Sequence, residues 1–218
     1  ETDAGHALLE GYLKDMITLA KRKGTGVILE SPTWVANRSR AAELGYGPEK
    51  LRLFNQQAVA LMAYVRAHHG DVPTVLSANI GPRDDAYAPE AQMTIDEAES
   101  YHFEQISALA ETNVDVITGY TLAYTAEAIG IIRAARSFGL PVVISFTVEV
   151  DGKLPTGTTL EQAIAQVDAA TDGYAAYFMI NCAHPDHFDS ILTDEPWMQR
   201  VRGIVANASR CSHAELDN

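Results

Sequence analysis

The stretch Met179-Ile180-Asn181-Cys182-Ala183-His184-Pro185 decides how this chain is read. A strand-like apolar run from Ala175 to Asn181 ends on two polar residues, Asn181 and Cys182. The same event recurs along the chain. Val27-Ile28-Leu29 runs into Glu30 and Ser31, and Pro73 to Asn79 ends on Asn79. Val114 to Thr118 is followed by Thr121, Pro141 to Val148 by Glu149, and Gly203 to Asn207 ends on Asn207. Each run is short and apolar on both faces, as strands covered by helices require.

Helical patterns fill the intervals. From His6 to Lys23 the residues Leu8, Leu9, Tyr12, Leu13, Met16 and Leu19 form one apolar face, stopped by Gly24 and Gly26. The residues before it, Glu1 to Gly5, read as a loop. After a polar loop from Glu30 to Ser39, Pro48 opens a helix whose buried face is Leu51, Phe54, Ala58, Leu61, Met62 and Val65. Thr94 with Glu97 is a capping box for a helix to about Glu111. Thr125 to Phe138 is helical and ends at Gly139, and Thr158 or Thr159 caps a helix to about Ala169.

Strands alternating with helices imply parallel pairing through right-handed crossovers. Two α/β architectures satisfy that pattern, a doubly wound sheet and a (β/α)8 TIM barrel. Polar residues after the C-terminal ends of many strands favour the barrel, whose functional loops form a ring on one face. A dinucleotide fold would instead place a glycine fingerprint after its first strand, and none is present. A barrel needs eight strands and six are readable, so two are either absent from this chain or not legible in its pattern.

The 218 residues, 47% of them hydrophobic, suffice for one domain spanning 1–218. The 16 basic against 29 acidic residues leave a formal charge of −13. Such a surface repels nucleic-acid phosphates and anionic lipid, so neither nucleic acid nor membrane is expected as a partner. No apolar run approaches the ~20 residues of a membrane-spanning helix. The chain opens on Glu1 without a Met or a signal-like segment, and two cysteines make no disulfide framework. A soluble cytoplasmic protein is the expectation; oligomeric state is not legible.

Cys182 has two readings. Its thiolate is a good zinc ligand, yet a lone cysteine is as readily a small buried hydrophobe. His184 and His187 stand at a spacing that suits one helical face, but Pro185 disturbs the helix, and capping of the turn is the simpler role. Cys211 lies beside Ser212 and Glu215, a second capping box, and reads more simply as a free thiol at a helix start than as a ligand. His102 falls in a helix interior and reads as packed or exposed rather than as a base. Glu30, Glu149 and Asp151 follow strands, where carboxylates hold ammonium groups, act as bases or, on so acidic a chain, are merely solvated. Ser31, Thr33 and Asn181 suit the carboxylate of an amino acid. There is no Ser-His-Asp order, nucleophile elbow or P-loop.

Several blocks together resemble the homocysteine S-methyltransferase family, which includes the betaine- and S-methylmethionine-dependent enzymes. They are Glu30-Ser31-Pro32-Thr33-Trp34, Asn79-Ile80-Gly81-Pro82, Tyr101-His102-Phe103-Glu104-Gln105, Glu127-Ala128, Val143 to Thr147 with Leu154 to Gly157, Asn181-Cys182 and Asn207-Ala208-Ser209. They occur in the family's order across nearly the whole chain. The resemblance implies a (β/α)8 barrel with a zinc ion held by three cysteines, of which Cys182 matches the one in an Asn-Cys pair. The other two belong to a Gly-Gly-Cys-Cys motif at the eighth strand, expected beyond Asn218. The first strand's Asp-Gly-Gly motif is also absent, so the missing strands are expected to be the first and the eighth.

The implied reaction is zinc-dependent methyl transfer from a cationic donor to the thiol of homocysteine, giving methionine. No catalytic group beyond the metal-activated thiol is implied. Glu30, Ser31, Thr33, Glu149, Asp151 and Asn181 are the expected substrate-binding residues, with Trp34 as a wall for the cation. Many relatives carry Glu-Thr where this chain has Tyr120-Thr121, so the donor is not specified. The residues also leave open a metal-dependent hydrolase using His184, His187 and His213 with carboxylates, and a non-catalytic binding barrel.

Overall fold

The computed structural model describes residues 2–87 and 91–216. Among them, six strands form one parallel sheet: β1 (Val27–Glu30), β2 (Thr74–Ile80), β3 (Val116–Leu122), β4 (Val142–Thr147), β5 (Tyr177–Asn181) and β6 (Val201–Val205). Their order in the sheet is their order in the chain. A doubly wound sheet reverses direction at a switch point, and this one does not. It is the sequential sheet of an incomplete (β/α)8 barrel, with β1 and β6 at its edges.

The described residues also form eight α-helices: α1 (Asp3–Lys23), α2 (Arg38–Glu43), α3 (Pro48–His69), α4 (Ile95–Ala110), α5 (Thr125–Arg136), α6 (Leu160–Thr171), α7 (Pro185–Phe188) and α8 (His213–Leu216). The start of α1 corrects the expected loop. Thr2 accepts from the Gly5 amide, so the helix begins at Asp3 rather than His6, while Glu1 lies outside the described residues. Gly24, at φ 66, closes it in the left-handed conformation. The short α2 falls partly within the expected Glu30–Ser39 loop. It has no apolar stripe to read, since Ala41 is its one buried residue, and Asn37 caps it. The boxes at Thr94–Glu97, Thr159–Gln162 and Ser212–Glu215 all form.

Register and the two-residue alternation of side chains assign the faces of the sheet. Leu29, Leu76, Ala78, Ile80, Ile117, Val142, Ile144, Phe146, Phe178 and Ile180 face outward and form the core with the helices. The alternating set faces inward: Glu30, Ser77, Asn79, Thr118, Tyr120, Ser145, Thr147 and Asn181. Hydrogen bonds across neighbouring strands, Ser77 to Thr118 at 2.7 Å and Ser145 to Asn181 at 2.7 Å, agree with this division. The concave side also carries Ile28, Val75, Val143 and Met179, and its polar groups gather toward the strands' C-terminal ends.

Candidate active site

Strands β3 and β5 build the centre of the C-terminal mouth. The pairing of β3 with β4 shifts by one residue between Gly119 and Leu122. This bulge holds Thr121 at φ 62, a rare and strained conformation for a β-branched residue. The extra residue lets two consecutive side chains serve the concave side. The Tyr120 hydroxyl donates to Glu30 Oε1 at 2.5 Å, and Thr121 meets Asn181. Burial first, and then the Glu30 carboxylate, push the Tyr120 phenol well above its ordinary range.

Asn181 uses its whole hydrogen-bonding capacity inside the protein. Oδ1 accepts from the Thr121 amide at 3.2 Å and from Ser145 Oγ at 2.7 Å. Nδ2 donates to Thr121 Oγ1 at 2.9 Å and to Cys182 Sγ at 3.1 Å. Cys182 is half-buried and also left-handed, at φ 55. Its amide donates to Val205 O at 3.1 Å, and its carbonyl accepts from His213 Nε2 at 2.7 Å.

The remaining expected site residues divide. Ser31 and Thr33 are buried and hydroxyl-bonded to each other at 2.6 Å. Thr33 donates to Asn79 O, and Ser31 Oγ accepts from Asn79 N, so the pair ties the loop after β1 to the end of β2. Trp34, in the same loop, donates its indole N–H to Tyr120 O at 3.3 Å, close to Glu30's partner. Glu149 lies against His213 Nδ1 at 2.9 Å. Asp151 is exposed and uses its carboxylate on its own turn, accepting from Lys153 N.

Two buried atoms on the concave side belong to residues outside the expected substrate-binding set. Asn79 Oδ1 and Thr147 Oγ1 have no hydrogen-bond partner. Buried polar atoms are rarely left so, and these mark where a ligand or water would complete the network. Alternation within β2 and β4 was the available signal. His102 proves to be a packed residue, with Nε2 at 2.9 Å from Glu127 Oε1 and both side chains buried. Glu127 also accepts from the Arg83 amide, anchoring the loop after β2.

The histidines do not converge on a metal. His184 accepts from the Asp186 amide as a helix cap, His187 meets Arg210 O, and His213 is engaged by Glu149 and Cys182. Among the described residues no group of three His, Cys, Asp or Glu side chains is placed to hold a metal ion. Cys182 has the right donor chemistry for one zinc ligand. The described residues alone do not close a site around it.

The sequence profile of the homocysteine S-methyltransferases matches residues 22–215. This chain belongs to that family. The homocysteine S-methyltransferase fold is also evident in crystal structures of the homocysteine methyltransferase MmuM from Escherichia coli. The metallated form aligns with a TM-score of 0.71 at 17% identity, over 93% of this chain and 81% of that one. The oxidised form gives 0.70 at 16%, over 95% and 82%, and the apo form 0.63 at 16%, over 94% and 82%. No curated protein sequence matches the chain. Among the described residues no helix is long and apolar enough to cross a membrane.

Proposed function

We propose that this chain methylates the thiol of homocysteine, taking the methyl group from a small cationic donor and forming methionine. The observation that carries the reading is the Asn181–Cys182 pair at the end of β5, with the amide of one residue bonded to the sulfur of the other, in a chain matched by the family over residues 22–215.

A free homocysteine thiol, like that of cysteine, has a pKa of roughly 8.5 and is mostly protonated at neutral pH. Zinc, when bound, supplies the charge that keeps such a sulfur as a thiolate. In the reaction a new S–CH3 bond forms on homocysteine as the donor's bond to the same methyl breaks. The electron pair stays with the donor atom, which loses its positive charge. Cys182 would supply one thiolate to hold the metal. Asn181, with all four of its hydrogen bonds used, holds that sulfur and does not itself contact substrate.

Glu30, fixed by Tyr120, is the carboxylate for a cationic group, and Trp34, whose indole bonds the Tyr120 carbonyl, is the aromatic wall for the same charge. Ser31 and Thr33 shape the wall through their tie to Asn79. Asn79 Oδ1 is an acceptor for an ammonium group, and Thr147 Oγ1 a donor for a carboxylate. Glu149 acts through His213, and Asp151 lies at the rim.

Metal analysis tests this reading. The full-length protein is expected to hold about one zinc per chain, as a site with one position open to substrate requires, and Cys182→Ala to lose it. Unchanged zinc in that variant overturns the assignment.

A further inference from the structure

We propose that His213 is a positioning residue for the Cys182 thiol, acting together with Glu149. The imidazole is buried at the first residue of α8 and meets three loops at once. Nε2 donates to Cys182 O at 2.7 Å in the loop after β5, and Nδ1 lies 2.9 Å from Glu149 Oε1 in the loop after β4. Its face stacks on Tyr87, from the loop after β2, with centroids 3.9 Å apart at 26°. The segment after β6 thus reaches across the mouth to the far loop and is pinned there by one ring.

The consequence for the thiol follows from backbone geometry. Cys182 stands at φ 55, a conformation that a cysteine leaves unless its surroundings hold it. The peptide before it is fixed by the bond from Cys182 N to Val205 O. The peptide after it is fixed by the bond from His213 to Cys182 O. With both peptides held, the Cα–Cβ direction is fixed, and Sγ stays against Asn181 Nδ2. Glu149 holds the ring so that Nε2 faces the carbonyl. Release of the carbonyl lets the turn relax and the sulfur leave its amide partner.

The proposal rests on reading Cys182 as the functional thiol. Its test needs neither substrate nor turnover, so a failure of methyl transfer and a failure of this inference are separable. The measurement is the rate of iodoacetamide alkylation of the peptide carrying Cys182, followed by mass spectrometry in the full-length protein as purified, in a Cys211→Ser background because Cys211 is exposed. Glutamine places its amide nitrogen near the imidazole Nε2, and asparagine near Nδ1. Loss of one buried hydrogen bond is expected to speed alkylation about tenfold in His213→Asn and His213→Ala. His213→Gln, which keeps the donor to Cys182 O, is expected to stay within about threefold of the parent. Equal rates in Gln and Asn variants, whether both fast or both slow, overturn the proposal. If His213→Ala does not fold, the Gln–Asn comparison decides alone.

Discussion

Asn181 binds Thr121 twice, accepting from its amide at 3.2 Å and donating to its hydroxyl at 2.9 Å. The same amide nitrogen reaches Cys182 Sγ, so one side chain bridges two non-glycine residues at positive φ. Asn181→Ala strands the Thr121 amide and the Ser145 hydroxyl in a buried site. It is expected to cost about 2–4 kcal/mol in urea unfolding. A loss below about 1 kcal/mol, the net worth of one ordinary hydrogen bond, would show that the network is not holding the mouth.

Thr121 separates strain from bonding. Valine keeps the β-branch at φ 62 and removes the hydroxyl, whereas glycine removes the hydroxyl and relieves the strain. Thr121→Gly is expected to be the more stable variant by about 1–2 kcal/mol. Equal or reversed midpoints in denaturant would mean that the bulge is not strained.

His102 and Glu127 form a fully buried pair whose carboxylate also anchors the Arg83 amide. Removing one partner leaves the other unsatisfied, so Glu127→Ala is expected to lose about 3–5 kcal/mol. The double variant with His102→Leu is expected to lose less than the sum of the single losses. Strict additivity in that cycle would contradict a direct coupling.

Tyr120 and Tyr124 are both raised above the ordinary tyrosine value of 10.0, burial being the first cause for each. A raised folded-state value means that the fold holds the neutral phenol. The stability this gives is complete below pH 10.0 and is lost as pH climbs above it. Ultraviolet titration is expected to show a late phenolate fraction that appears with alkaline unfolding. Tyr120→Phe removes part of that fraction and frees Glu30. If all tyrosines titrate together near pH 10 in the folded protein, the Tyr120–Glu30 contact is wrong.

The architecture was legible because β-branched runs such as Pro141 to Val148 and capping pairs such as Thr94–Glu97 are local signals, and both formed in place. Cys182 was legible as a candidate through its neighbour Asn181 and its position at a strand end. The bulge at Thr121 was not, because a register shift depends on β4 rather than on any residue of β3. Nor was the clamp on Cys182. His213 lies 31 residues further on, and only the fold brings it back to the end of β5. The saturation of Asn181 likewise needs the partners Thr121 and Ser145 in view.

The central claim is tested most directly by methionine formation in the full-length protein. Homocysteine is supplied with sulfonium and quaternary ammonium methyl donors in turn, alongside the Cys182→Ala variant. Methionine from at least one donor, abolished in that variant, is the predicted result. No methionine from any cationic donor, or formation undiminished by Cys182→Ala, would contradict it.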